Sequence, residues 1–131
     1  MRAHKKLLAA VALTAFALPS AAQAMTVTDF LAKVQALKTK GIFAVGSADI
    51  GLLKKEVAAA SDSYRAGLAA EMAAGRKASS CPPPKGTAKI GSSELIASFT
   101  AIPPARRGIS VKTAFAEMMR KRYPCSNISI G

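Results

Sequence analysis

The chain has 131 residues, with 19 lysines and arginines, 7 acidic residues, one histidine and no tryptophan, and its formal net charge is +12. This length suits one small domain. The single histidine is His4, so a chain processed beyond it has no Ser-His-Asp relay and no imidazole ligand for zinc. The acids are scattered, with no pair at a short acid-base spacing. We therefore expect no enzyme activity, no cofactor and no metal.

The first 24 residues have the pattern of a secretory signal peptide. A basic start precedes an apolar run at residues 7–18, and Ala-Gln-Ala at 22–24 is a typical cleavage sequence. The alternative to a signal peptide is a transmembrane anchor, but the apolar run is shorter than the roughly 20 residues of a membrane-spanning helix. We expect cleavage after Ala24 and a periplasmic location. The mature chain, residues 25–131, is expected to form one domain with a charge of +9 and no transmembrane segment.

Apolar residues at helical spacing predict two helices in the first half of the mature chain. The first has Thr28 as its expected N-cap and stops at Gly41. The second, the longest, begins at Ser47 and ends near Gly75. Gly67 and neighbouring alanines predict a surface that another helix approaches closely. The predicted apolar face of the second helix comprises Ile50, Leu53, Val57, Ala60, Tyr64, Leu68 and Met72.

Two shorter helices are predicted in the second half. Ser92 or Ser93 is the expected N-cap of the third, which Pro103 must end. Ser110 is the expected N-cap of the fourth, which stops before Pro124. The apolar face of the fourth helix comprises Val111, Ala114, Phe115, Met118 and Met119. The predicted fold class is therefore all-α, a small four-helix domain.

The two cysteines predict one structural disulfide. Cys81 precedes three prolines and Cys125 follows Pro124, so each lies where a helix has just ended. In an exported chain two cysteines most simply pair with each other. A redox-active pair would favour a C-x-x-C spacing, which is absent here. The bond would close a long loop around the third helix.

Clusters of basic residues leave two interpretations open. They are either solvated faces or an attraction to an acidic partner, which would be a protein, a phospholipid surface or the cell-wall polymer. Nucleic acid is not expected as a partner, because the chain is exported and no aromatic residues interleave with the cations. We predict a protein-binding surface around two segments, the proline loop at residues 81–86 and the "PARRG" turn at residues 104–108, which we call the arginine turn. The alternative is that the two arginines of this turn simply keep it soluble. The residues of the predicted surface are Lys85, Lys89, Arg106, Arg107, Arg122 and Tyr123.

The second half of the chain resembles the small exported immunity proteins of the type VI secretion amidase-immunity class, the Tai and Rap group. The resemblance rests on "CPPPKG", "SSELIASF", "AIPPARRGISV" and "TAFAEMMRKRYPC" in this order, and on "SYRAGL" in the long helix. It covers residues 61–125. Members often have a cysteine where Ser61 stands and a glycine where Ser63 stands. The resemblance implies an all-helical, dimeric periplasmic protein that binds and blocks a cell-wall amidase toxin.

Other functions and a homodimer also stay open. A periplasmic acid-stress chaperone is the main alternative to an immunity protein, although such a switch needs carboxylates and the chain has only 7 acidic residues. Another non-enzymatic binding protein is also compatible. The long and last helices offer more apolar surface than a domain of this size readily buries, so we expect a possible homodimer.

Overall fold

The structure, a computed structural model, describes residues 24–126. The predicted signal peptide lies outside the described residues apart from Ala24. The four α-helices are α1 (Val27–Lys40), α2 (Ala48–Ala73), α3 (Ser92–Thr100) and α4 (Val111–Arg122). Short 3-10 turns at Gly41–Ala44 and Pro104–Arg106 precede α2 and α4. The predicted all-α fold with one disulfide is confirmed.

Two of the predicted N-caps are correct and two are wrong. The hydroxyls of Ser47 and Ser110 accept hydrogen bonds from backbone N–H groups at the starts of α2 and α4, as predicted. Helix α1 is capped by Thr26, whereas the Thr28 hydroxyl donates across the molecule to the carbonyl of Arg107 at 3.1 Å. Helix α3 is capped by Gly91 without a side-chain hydrogen bond. Ser92 and Ser93 therefore lie inside α3.

The core forms where α4 packs on α2 and α3 packs on α1. The rings of Tyr64 and Phe115 join α2 to α4 edge to face at 6.1 Å, and those of Phe30 and Phe99 join α1 to α3 at 5.3 Å. Edge-to-face aromatic pairs stabilise the fold beyond the contribution of burying the two rings, and they favour one orientation of the helices. Met72 does not belong to the core as predicted, because it lies in the last turn of α2 with its side chain 68% exposed.

The beginning of the described chain is fastened to the start of α4. The N–H of Val27 donates to the carbonyl of Ile109 at 3.0 Å, and the N–H of Val111 donates to the carbonyl of Met25 at 2.9 Å. These bonds satisfy terminal backbone donors of both helices, which otherwise lack intrahelical partners. Helices α1 and α4 therefore start at the same place in the fold.

The disulfide lies beside a buried hydrogen-bond network at the end of α4. The Cα atoms of Cys81 and Cys125 are 4.9 Å apart, and the N–H of Cys81 donates to the carbonyl of Tyr123 at 2.8 Å. The hydroxyl of Ser80, which is 1% exposed, accepts from the Tyr64 hydroxyl at 2.7 Å and lies 2.9 Å from the Tyr123 carbonyl. The loop after α2 is thereby held against the end of α4.

The same loop is also tied to α2 through a carboxylate. Glu71 accepts hydrogen bonds from the N–H of Ser79 at 2.7 Å and from its hydroxyl at 2.9 Å. The backbone bond, then the hydroxyl bond, lower the pKa of Glu71 below its ordinary value of 4.5, and the charges of Arg76 and Arg120 act in the same direction. The ionised form of Glu71 therefore favours the folded state.

This contact predicts an acid-dependent loss of stability. Because the pKa of Glu71 is lower in the folded state, its contribution is present above pH 4.5 and is lost as the pH falls through the folded pKa. Between about pH 6 and about pH 3 we expect the Tm of the parent to fall further than that of Glu71→Gln. Glu56→Gln, elsewhere on α2, is the control and should follow the parent. Parallel pH profiles for the parent and Glu71→Gln would contradict this interpretation.

The predicted close approach of a helix at Gly67 is wrong. A Cβ atom placed there would meet no atom within 4 Å, because Gly67 borders an open cleft between α2 and α4. Since glycine inside a helix costs about 1 kcal/mol relative to alanine, Gly67→Ala should raise the free energy of unfolding by up to about that amount. Gly75→Ala is the contrasting control, because Gly75 has φ +70° and should lose stability as alanine. Denaturant unfolding measures both changes, and a destabilised Gly67→Ala variant would refute the prediction.

Candidate partner-binding groove

An open apolar groove of about 720 Å³ runs between α1, α2, α3 and the segment at residues 85–91. Volumes in this range are typical of ligand and peptide sites in proteins. Helix α4 reaches the groove through Phe115 and Met119. The other apolar side chains that line it are Phe30, Val34, Leu37, Ile50, Leu53, Val57, Ala58, Ala88, Ile90, Leu95 and Ile96.

Local contacts hold the walls of the groove in place. Lys33 on α1 and Asp49 in the first turn of α2 form an ion pair at 3.0 Å. On the opposite side the guanidinium of Arg65 donates to the carbonyl of Pro83 at 2.9 Å, which attaches the proline loop to α2. A carboxylate near a helix N-terminus also interacts favourably with the helix dipole. The groove is therefore bordered by elements with fixed relative positions.

The charged side chains that line the groove are all basic. Its lining includes Lys38, Lys54, Arg65 and Lys85, and no acidic residue within residues 24–126. Lys85 pairs with Asp62 at 2.9 Å, but both side chains are largely exposed, so this ion pair is weak. Over the described chain neither Lys38 nor Lys54 forms an ion pair. An apolar segment with flanking carboxylates would match this combination of surface and charge.

The structure places the six predicted partner-binding residues in separate regions. Lys85 lines the groove, and the exposed Lys89 lies on the same segment without lining it. Arg106 and Arg107 precede α4, whereas Arg122 and Tyr123 lie at its other end. Helix α4 has 12 residues and is about 18 Å long. The two parts of the predicted surface therefore lie at opposite ends of α4 and do not form one site.

Several of these predicted residues have partners within the fold. Arg107 donates from Nε to the carbonyl of Ile102 and from its terminal nitrogen to that of Thr100, both at 2.8 Å. It thereby satisfies the last carbonyl of α3. Arg106 pairs with Glu117 at 3.1 Å. Arg107 is thus part of the scaffold whether or not it contacts a partner.

At the end of α4 the cations are also engaged. Arg122 forms an ion pair with Glu94 in the first turn of α3. Its guanidinium also lies 5.5 Å from the ring centroid of Tyr123, and Nε donates to the tyrosine hydroxyl at 3.0 Å. The backbone carbonyl of Tyr123 is used by the loop that carries Cys81. This end of α4 is therefore built to hold the disulfide region in place.

The groove was missed in the sequence because its walls are far apart along the chain. Lys38, Lys54 and Lys85 belong to α1, α2 and the proline loop, and nothing local connects them. One available signal was the excess of apolar positions on α1 and α2, such as Leu37 and Val57. Both are only partly buried by the four helices.

Comparison with the profiles of known protein families, with curated protein sequences and with solved structures gave no match. Over residues 24–126 no helix is both long and apolar enough to span a bilayer. The same residues contain no cluster of three or more histidine, cysteine or acidic side chains suited to a metal ion.

Proposed function

We propose that this protein is a periplasmic immunity protein that binds and inhibits a type VI secretion peptidoglycan amidase through the groove between α1, α2 and α3. The observation that carries the proposal is an open apolar groove with four cationic side chains and no acid in its described lining. Apolar burial supplies affinity, and charge complementarity supplies orientation and a faster encounter. This combination suits the capture of a protein segment.

The apolar lining and basic side chains of the groove suit an amphipathic helix or loop. Proteins commonly bind such a segment by placing its apolar side chains in a hydrophobic groove. Lys54 on α2 and Lys85 on the proline loop would face acidic residues on the two sides of the bound segment. We therefore propose that the occupant is an apolar segment of the amidase flanked by carboxylates.

The choice of an amidase as the partner rests on the family resemblance. The resemblance covers residues 61–125, and most of its elements lie between Cys81 and Cys125, where the disulfide closes a loop containing α3 and α4. The proline loop within this region also supplies Lys85 to the groove. The region that carries the resemblance therefore supplies one wall of the groove, which supports the proposal.

Inhibition of amidase activity tests the proposal. The purified protein is titrated against secreted peptidoglycan amidases of the same organism. The cleavage of amide bonds in peptidoglycan is measured from the free amino groups that it produces. We expect one amidase to be inhibited at a defined stoichiometry, whereas a glycosidase that cleaves the same polymer should be unaffected. If every amidase retains full activity with excess protein, the proposed function is wrong.

A chaperone remains the second candidate because apolar groups are unusually accessible. Ile42 and Phe43 are each 83% exposed, and the groove adds further apolar surface. Exposed apolar surface of this kind can bind unfolded chains. A chaperone would suppress the acid-induced aggregation of unrelated proteins, whereas an immunity protein would act on its amidase alone.

The predicted homodimer stays a prediction, which sedimentation at micromolar concentration would test.

A further inference from the structure

The turn between α1 and α2 exposes three large apolar side chains at one end of the molecule. Ile42 and Phe43 are each 83% exposed, and Val45 is 85% exposed. We call the segment Gly41–Gly46 the apolar tip. Single exposed apolar residues are common on proteins, but a contiguous group marks an interaction site. The tip is separate from the lining of the groove, to which Ile42, Phe43 and Val45 do not belong.

The shape of the tip favours insertion into a soft surface. The ion pair between Lys33 and Asp49 joins α1 to the start of α2, and the seven residues of α1 that follow Lys33 span about 10 Å. The tip lies at the end of this extension, in the turn that reverses the chain. A short apolar turn offers little area to a flat protein surface. It can instead enter the boundary between the headgroups and acyl chains of a bilayer.

The charges next to the tip select an anionic surface. Lys38 and Lys40 occupy the last turn of α1, and Lys54 and Lys55 are the seventh and eighth residues of α2; Lys38 and Lys54 also line the groove, whereas Lys40 and Lys55 do not. Asp49 is the one acidic residue from Lys38 to Lys55, and it is paired with Lys33. Lysines beside an inserted apolar group can place their charged ends among lipid phosphates while their methylene chains stay in apolar surroundings.

From these contacts and charges, we propose that the apolar tip docks this protein on an anionic phospholipid membrane. Ile42, Phe43 and Val45 enter the interfacial region, and Lys40 and Lys55, which do not line the groove, bind the lipid phosphates. This attachment is peripheral and reversible, and it leaves the lining of the groove free for a protein. The proposal is independent of the amidase as partner, since it concerns a different surface and a different ligand.

Vesicle co-sedimentation tests the proposal. The exported protein is recovered from the periplasm, its first residue is established by intact mass, and it is mixed with vesicles of phosphatidylglycerol and phosphatidylcholine or of phosphatidylcholine alone. We expect at least about tenfold stronger partitioning onto the anionic vesicles, with a marked loss at high salt because exposed charges are screened. Equal partitioning onto both vesicle types, or no binding to either, would overturn the proposal.

Matched variants assign the binding to the tip. Ile42→Ser with Phe43→Ser should lower the partition coefficient at least about tenfold, because one buried aromatic or aliphatic side chain alone accounts for that factor. Met72→Ser is its control, since Met72 is also well exposed but lies at the far end of α2. An equal loss in the Met72→Ser variant would overturn the assignment to the tip.

A second pair of variants tests the lysines without changing the groove. Lys40→Gln with Lys55→Gln should weaken binding at least about fivefold, the factor expected for one lysine near an anionic surface. Neither residue lines the groove. Lys77→Gln with Lys112→Gln removes two exposed charges elsewhere and should leave binding unchanged. If the tip variants instead abolish a dimer in sedimentation and no vesicle binding occurs, the tip is a contact between two copies of the chain and the proposal fails.

Discussion

Replacing Cys81 and Cys125 together with serine is expected to lower the Tm by roughly 15–30 °C. The bond joins residues 44 positions apart, and a closed loop of this length restricts the unfolded chain by on the order of 4 kcal/mol. In a domain of this size each kcal/mol corresponds to about 4–8 °C in Tm. Thermal unfolding by circular dichroism measures the effect.

Two controls separate the bond from the side-chain substitution. Reduction of the unchanged protein should produce a similar fall in Tm, because it breaks the same bond while keeping both cysteines. Cys81→Ser alone should behave like the double variant, since either change prevents the disulfide. A double variant that unfolds within a few degrees of the parent would contradict the stabilising role of the bond.

Placing a glutamate in the groove at position 58 is expected to weaken the binding of the amidase at least about tenfold, or about 1.4 kcal/mol. Ala58 lies on the exposed side of α2 and lines the groove. A longer, negatively charged side chain there would occupy part of the groove and repel an acidic segment of the partner. Because alanine at this position is exposed, the substitution should have little effect on the Tm.

Ala59→Glu is the matched control for Ala58→Glu. Ala59 is the next residue of α2, is also exposed and does not line the groove. The two variants have the same composition and the same net charge, so a difference between them reports the position of the new side chain. Isothermal titration with the inhibited amidase gives both affinities. Equal affinities for the two variants would exclude the wall of α2 from the binding surface.

The helices were predictable because their signals are local. Apolar residues at intervals of three and four positions identified the helix containing Leu53 and Tyr64, and Ser47 and Ser110 were correctly assigned as N-caps. The errors concern residues whose environment is set by distant parts of the chain. Thr28 is a reasonable cap by sequence, but its hydroxyl bonds to the backbone of Arg107 instead. Met72 follows the apolar pattern of α2, yet its side chain is 68% exposed in the fold.

The disulfide was also predictable, because a chain with only two cysteines leaves one intramolecular pairing. The groove that we propose as the binding site was less accessible to sequence reasoning. Adjacent arginines at 106 and 107 attract attention because they are neighbours in sequence, yet Arg107 uses its guanidinium to cap α3. The lysines of the groove are neighbours only after the chain has folded, so their common location depends on helix packing that a single sequence does not reveal.

The most direct test of the groove as the amidase-binding surface is a methyl NMR titration of the protein labelled at its isoleucine side chains. Ile50, Ile90 and Ile96 line the groove, whereas Ile102 and Ile109 belong to the segment around the arginine turn. On addition of the amidase we expect the methyl signals of the first three residues to shift or broaden selectively. Changes confined to Ile102 and Ile109, with the three groove signals unaltered, would contradict binding in the groove.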